Sequence, residues 1–467
     1  MPDRFASTLD DETPDNYARG AVREDPDHHR AVPSGRLSRL SGFGRLAGGV
    51  AGSVLADGAR RLAAGERPKL DELILTPGNA KRLADRLAHL RGAAMKLGQM
   101  ISMDAGDMLP PELAEILATL RDRANFMPPR QLDKVLAEQW GRDWRKQFRR
   151  FEPKPIAAAS IGQVHRALTR DGRTLAIKVQ YPGIAQSIDS DVDNVATLLR
   201  VSGLLPKELD IAPLLAAAKE QLHEEADYVR EGEQMQLYKA RLDGNPAFVV
   251  PELDDELTRE RVLAMSFEEG IPIESLVEEP QELRDTVFAS LVRLVGRELF
   301  EFGVMQTDPN FANYRYRRGE DGAPGQIVLL DFGATRAVAP DIALAYRRLL
   351  EAGLAEDGER IKAEALAAGF LNPATLERHP ERVDRMIAII VGEMSRDAPF
   401  DFGDRSFVPL LRDEGMAIAQ DRATWHLPPV ETLFVQRKVS GTALLGARLG
   451  AVVNVRAIVE DVLAKTA

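Results

Sequence analysis

The sequence predicts an α+β chain in two lobes, a small strand-rich lobe followed by a larger helical one, with a helical stretch in front. Three observations lead there. Residues 163–168 and 174–179 read as strands on either side of Asp171-Gly172, a pair that favours a hairpin turn. The apolar run Ile327-Val328-Leu329-Leu330 ends in Asp331-Phe332-Gly333, downstream of Asp308 and Asn313. Helical periodicity dominates from Asn79 to about Gln147 and returns beyond Ile273.

Taken in order, residues 1–35 are rich in Asp, Pro and Arg without periodicity and read as a disordered tail. Residues 36–150 read as a helical extension, broken at Leu109-Pro110-Pro111 and at Met127-Pro128-Pro129. Its first part sets Gly42, Gly44, Gly48, Gly49 and Gly52 among Leu, Val and Ala, followed by Arg60 and Arg61. Two readings stand open there: a close-packed helix or loop against the main domain, or an interfacial helix whose arginines meet anionic lipid. The small lobe is expected over 151–268. It holds the hairpin, helical text from Gly183 to about Leu242 broken near Pro206 and Pro213, and further strands at 248–250 and 261–265. The large lobe is expected over 269–467.

Composition narrows the function. A chain of 467 residues is too long for one compact core, and its apolar fraction of 44% suits a globular protein. A net charge of −11 argues against a nucleic-acid partner, which would call for a basic face. With no cysteine, disulfides, iron–sulfur clusters and thiolate zinc sites are excluded. The seven histidines are scattered, only His28-His29 being adjacent, so no imidazole metal site is expected. No run reaches the roughly 18 apolar residues of a membrane helix, and a basic-then-apolar leader is missing from the N-terminus. The expected location is cytoplasmic, with peripheral contact at the inner face of the cell membrane.

The chemistry concentrates in a few segments. A carboxylate at a strand end, as Asp331 is, can hold Mg²⁺ on ATP phosphates. Asp308 and Asn313 stand at the offset that separates a catalytic base from a second metal ligand in kinase catalytic loops. Upstream, Ala157-Ala158-Ala159-Ser160-Ile161-Gly162-Gln163-Val164 lies where a kinase has its glycine-rich phosphate loop. Gly162 and Val164 match that pattern, while Ala157 and Ala159 replace its first two glycines and bring a Cβ close to where phosphates would pass. An alanine-rich helix start is the competing reading of these residues. Lys178, just past the hairpin turn, matches the strand lysine that pairs with α- and β-phosphates. It needs a carboxylate partner, and Glu231 is the best candidate, in a helix reading Glu224-Glu225-Ala226-Asp227-Tyr228-Val229-Arg230-Glu231. Glu224, Asp227 and Glu231 would share one face of that helix, whereas Glu225 and Asp227 would point nearly opposite ways. Spacing alone does not say which acids face the cleft. Lys96-Leu97-Gly98-Gln99 is also unusual: Lys96 and Gln99 lie one turn apart, and Gly98 permits close backbone approach.

With these segments in place, the chain resembles the UbiB/AarF-type atypical kinases, the group that includes the mitochondrial coenzyme-Q kinase-like proteins. The resemblance covers roughly residues 36–440 and rests on Lys96-Leu97-Gly98-Gln99, residues 157–165, Lys178-Val179-Gln180-Tyr181-Pro182-Gly183, Glu225 through Glu231, and the Asp308…Asn313…Asp331 set. It implies a protein-kinase-like fold with the N-terminal helices packed over the cleft. ATP and Mg²⁺ would be the cofactors, with Asp308, Lys178 and Glu231 catalytic and Asn313 and Asp331 on the metal. Ala157, Ala158, Ala159, Ser160, Gly162, Val164, Lys178 and Met265 would contact nucleotide. Lys96 and Gln99 would reach into the cleft, meet Glu225 and Asp227, and play a regulatory part that suppresses protein-kinase activity. The implied partners are an adenine nucleotide, an anionic membrane surface, isoprenoid or quinone-precursor lipids, and quinone-biosynthesis proteins.

The leading expectation is therefore an ATP- and Mg²⁺-dependent atypical kinase or ATPase supporting isoprenoid-quinone (ubiquinone) biosynthesis or lipid handling. A nucleotide-binding pseudokinase or scaffold for quinone-biosynthesis enzymes is the alternative, motivated by the alanine-rich loop and the occluding helices. A Ser/Thr protein kinase fits less well, because Met305-Gln306-Thr307 replaces the His-Arg that would precede Asp308, and no Ala-Pro-Glu follows Asp331.

Overall fold

A computed structural model describes residues 126–159, 161–201, 212–320, 323–424, 426 and 428–466. The expectations for the tail, for most of the extension with Lys96 and Gln99, and for Ser160 lie outside those residues.

The small lobe starts earlier than 151. Helix α1 (Pro129–Trp140) begins with proline at its first position and ends at Gly141, whose φ of 87° no other residue adopts readily. It lays Leu132, Val135 and Leu136 against Trp144, Phe148, Ile177 and Val179 in one apolar cluster. Strand β1 (Phe148–Phe151) pairs antiparallel with β3 (Gly162–Thr169), so a boundary between 150 and 151 would cut a strand of the sheet. Between them, β2 (Ala157–Ala158) also pairs with β3, and β4 (Thr174–Gln180) returns from the turn at Asp171-Gly172, where Gly172 has φ of 94°. Ala157 and Ala158 are thus extended backbone, not the start of a helix.

Three helices follow: α2 (Ile184–Val201), α3 (Ala212–Glu225) and α4 (Tyr228–Arg241). The acidic run expected as one helix is split between α3 and α4. Asp227 adopts an extended φ and ψ, and its carboxylate caps α4 by accepting the Arg230 N–H. A capping Asp in mid-run competes with the helix for its own backbone, which is why the periodicity misled. Strand β5 (Phe248–Val249) is a second correction. It joins the large-lobe sheet, whereas β6 (Val262–Ser266) completes the small-lobe order β1-β3-β4-β6.

In the large lobe, β7 (Ile271–Pro272) precedes α5 (Gln281–Arg297), which runs into a π-helical turn at Glu298–Phe302 closed by left-handed Gly303. Strand β8 (Val304–Gln306), a 3-10 turn at Phe311–Asn313, β9 (Tyr314–Arg317), β10 (Gln326–Leu329) and β11 (Thr335–Ala337) form the floor of the cleft. β10 pairs parallel with β5 and antiparallel with β9, while β11 pairs with β8. Helices α6 (Pro340–Leu354), α7 (Gly358–Ala367), α8 (Pro373–Arg378) and α9 (Pro380–Met394) come next, then β12 (Phe400–Asp401) and α10 (Val408–Ala419). The chain returns through α11 (Val430–Leu449), β13 (Val452–Val453) and α12 (Val455–Lys465). One apolar cluster runs through both lobes, joining Ala176 and Met265 to Met235, Tyr238 and Phe332 and to Leu445 of α11. No helix among the described residues is long and apolar enough to cross a membrane.

Candidate active site

The lobes meet at Lys178. Strand alternation turns its side chain inward at the register position facing Val164 on one side and Leu263 on the other. Its Nζ donates to both Glu231 oxygens, at 2.8 and 2.9 Å, and lies 3.3 Å from Asp331 Oδ2. The ring of Tyr228, on the same face of α4, stands 5.2 Å from that ammonium. Burial opposes the charge on Lys178, but Asp331 and Glu231 outweigh it and hold the amine well above its ordinary pKa. Burial is also the leading influence on Glu231, lifting it to about 7 against the pull of Lys178.

Two loops carry the remaining polar groups and are stitched to each other. Thr307 donates both its N–H and its hydroxyl to the Ala334 carbonyl, at 3.1 and 2.8 Å, and the Leu330 N–H donates to the Asn313 carbonyl at 3.0 Å. Asp331 Oδ1 accepts the Gly333 N–H at 3.0 Å, which aims the other oxygen at Lys178. Asp308 Oδ1 accepts the Asn310 N–H, and its carbonyl accepts from Gln306 Nε2 at 3.0 Å and Asn313 Nδ2 at 3.4 Å. Asn313 and Asp331 line one small cavity that Phe332, Tyr238, Glu298, Gln306, Tyr314 and Lys438 also line. Arg230 of α4 donates to the carbonyls of Gly333 and Thr335, so one helix holds both Lys178 and the segment after Asp331.

The phosphate-loop segment is a hairpin in register Ala157↔Val164 and Ala158↔Gln163, closed by the Ala159 N–H donating to the Gly162 carbonyl at 2.9 Å. Gly162 is required by packing: a Cβ there would lie 2.5 Å from the Val179 carbonyl oxygen and 2.6 Å from the Tyr228 hydroxyl. Met265 sits in β6 opposite Ala176 and is buried. Of the two acids expected to be regulatory, Glu225 is buried beside Gln221, which donates to it at 3.3 Å, and Asp227 is exposed at its cap. The structure therefore brings Lys178, Glu231, Asp331, Asn313, Asp308 and the hairpin to one cleft, and separates Glu225 from Asp227.

The donor set suits Mg²⁺ bound jointly with phosphates. That ion takes hard oxygens and is commonly held by one or two carboxylates plus substrate. Asp331 and the Asn313 amide supply such oxygens, and no cluster of three or more acids or imidazoles competes among the described residues.

Sequence reasoning missed Tyr228 and Arg230, and it missed a buried group under the floor formed by Tyr238, Glu298, Tyr314 and Lys438. A lysine falling among Phe434, Val435, Gly441 and Leu445 on the apolar stripe of α11 was the available signal.

Residues 119–365 match the ABC1 atypical kinase-like domain. The chain is 37% identical over 438 residues to the mitochondrial atypical kinase COQ8 of Saccharomyces cerevisiae, across 93% of this chain and 86% of that one. It is 37% identical over 444 residues to the mitochondrial atypical kinase COQ8B of Rattus norvegicus, across 94% and 82% of the two chains. Among solved structures, the Rv3197–erythromycin complex from Mycobacterium tuberculosis shares its fold with a TM-score of 0.58 at 24% identity, over 82% of this chain and 95% of that one.

Proposed function

The chain belongs to the ABC1 atypical kinase-like family, and from that premise we propose that it binds Mg²⁺–ATP in the cleft around Lys178 and transfers or hydrolyses the γ-phosphoryl group. The observation that carries this reading is the contact set of one buried ammonium with two carboxylates, Glu231 and Asp331, beside the loop bearing Asp308 and Asn313. Lys178 would neutralise nonbridging phosphate oxygens, kept in place by Glu231. Asp331 and Asn313 would hold the metal, which when bound supplies charge neutralisation on the phosphates. Asp308 would orient or deprotonate an acceptor hydroxyl or water. The hairpin at 157–164 would cover the phosphates, and Met265 would line the adenine side. Replacing Asp331 by Asn should abolish Mg-nucleotide turnover in purified protein, and unchanged hydrolysis would sink the assignment.

The acceptor class is the finer part of the proposal. The family resemblance and the names of the relatives support a role in isoprenoid-quinone metabolism, with quinone-precursor phenols or lipids as candidate acceptors or effectors. Lys96 and Gln99 would enter the cleft from the extension beside Glu225 and restrict access by peptides. The segment 42–61 would meet anionic lipid, and absence of co-flotation with cardiolipin-containing liposomes at low salt would count against that. A second reading, a nucleotide-gated scaffold, is favoured by one observation: Ala157 and Ala159 keep Cβ atoms in the hairpin where a kinase has glycine. Nucleotide binding without turnover, even with liposomes and a precursor phenol present, would decide for it.

A further inference from the structure

On the inner side of the cavity lined by Asp331 and Asn313 lies a charged cluster that the phosphoryl-transfer reading leaves unused. Lys438, on α11, is 2% exposed. Its Nζ is 3.3 Å from Glu298 Oε2 and donates to Gln306 Oε1 at 3.1 Å and to the Tyr314 hydroxyl at 3.0 Å. Glu298, fully buried in the π-helical turn, accepts the Tyr238 hydroxyl at 2.7 Å and the Gln306 N–H at 3.2 Å. A π turn adds a residue to a helix and re-aims the side chains there, a device frequent at functional sites.

What matters is where these bonds lead. Gln306 uses one end of its amide on Lys438 and the other, at 3.0 Å, on the Asp308 carbonyl, which Asn313 also contacts. Residues 306 and 314 bracket the loop that carries Asp308 and Asn313, and Lys438 touches both. One turn along α11, a Cβ on Gly441 would come within 2.0 Å of the Pro309 Cβ, so the same helix face meets the middle of the loop. On the other side, Tyr238 lies seven residues after Glu231 on α4 and packs its ring 5.1 Å from that of Phe332. Two unlike clusters, the one gripping Lys178 and this one, are therefore joined by a single helix.

We propose that Lys438 and Glu298 are positioning residues for phosphoryl transfer: through Gln306 and Tyr314 they fix both ends of the Asp308–Asn313 loop, and through Tyr238 they register that loop against the helix carrying Glu231. A buried ion pair kept for stability alone would need only its own partners satisfied, and apolar residues serve that purpose as well. Here the amine's neutral contacts are both spent on the loop.

The inference rests on the phosphoryl-transfer reading of that loop, so the test has an arm that does not need turnover. In the full-length chain, the paired variant Lys438→Met/Glu298→Gln removes both charges together, and Gln306→Leu keeps the ion pair but cuts its link to Asp308. Three readouts are compared with wild type: the dissociation constant for Mg-nucleotide, turnover under saturating nucleotide, and amide hydrogen exchange over 306–314. For both variants the expected result is a dissociation constant within threefold of wild type, turnover reduced at least thirtyfold, and faster exchange confined to that loop. Wild-type exchange and turnover in folded variants would overturn the proposal, as would a parallel loss of nucleotide binding and turnover with exchange raised throughout the large lobe. Should the paired variant fail to fold, Gln306→Leu alone decides. If wild type itself shows no turnover, the phosphoryl-transfer reading falls, and loop-specific exchange still decides whether Lys438 and Glu298 hold the loop.

Discussion

Lys178 and Lys438 are both buried amines bonded to a buried glutamate, yet their surroundings are charged differently. Around Lys178 stand two carboxylates, Glu231 and Asp331, and the Asp331 side chain keeps 31% of its surface open to the cleft. Around Lys438 stand one carboxylate, Glu298, and two neutral oxygens from Gln306 and Tyr314, all closed from solvent. Burying ions costs several kcal/mol each unless partners repay it, so a surplus negative charge is a standing penalty. The cleft cluster carries that surplus at its open side, where a divalent cation would balance it. The floor cluster is balanced already and has nothing to recruit. Charge surplus at an accessible edge, more than burial or hydrogen bonding, separates a site that takes a ligand from one that holds a loop.

Breaking each lysine in turn tests that distinction most severely. Lys178→Met should lower turnover on the order of a thousandfold or more, since it removes the charge that would hold the α- and β-phosphates in place. Its stability cost should be the smaller of the two. Asp331 can turn to water, and Glu231, already lifted to about 7, can take up a proton. Lys438→Met should cost more. It leaves Glu298 buried without its counter-ion, a loss of about 3–5 kcal/mol. Urea denaturation of the two variants at pH 7 makes the comparison, and equal destabilisation would erase the distinction drawn here.

A milder probe is the ligand itself. Mg-nucleotide at a hundredfold excess over its dissociation constant should stabilise wild type by about 2.7 kcal/mol through mass action. Gln306→Leu, which leaves Lys178, Glu231 and Asp331 in place, should show nearly the same thermal shift, and Asp331→Asn should show almost none. A full shift in Asp331→Asn would place the metal elsewhere.

Much of the cleft was legible because its chemistry is local in sequence. Asp308 and Asn313 are five residues apart, Asp331 follows an apolar strand, and Lys178 follows a hairpin turn, so each announces itself through spacing. Glu231 was found only as a best candidate, and the structure pairs it with Lys178. The Asp227 cap was misread because periodicity treats an acidic run as one surface and does not see a side chain competing for the backbone. The floor cluster escaped for a different reason. Tyr238, Glu298, Tyr314 and Lys438 come from four separate elements, and their partnership exists only after packing. The same holds for α1 and β1, whose apolar residues look like part of a helical extension until Trp144 and Phe148 close onto the small-lobe sheet.

A third buried titratable group sharpens the contrast by carrying no charge at all. His165, on β3, donates from Nδ1 to the Glu152 carbonyl at 2.8 Å, and its Nε2 lies 2.9 Å from the Gln163 amide nitrogen. The other end of that amide is engaged by the Met127 N–H at 2.7 Å, so Gln163 has its N–H groups pointed at the ring. A second ring proton would face a donor. Burial accordingly pulls His165 down to about 4, a shift its bond to Glu152 only partly resists. Unfolded, the same ring takes its proton near 6.5. Between those values the unfolded chain binds more protons than the folded one, so stability is fully present above 6.5 and drains away as pH falls towards 4. The total is about 3 kcal/mol. Urea midpoints measured from pH 7 down to 4.5 should therefore fall more steeply for wild type than for His165→Gln, which cannot titrate. Parallel curves would mean that the small lobe accepts a charged ring at 165, and that its interior, like the cleft, tolerates charge.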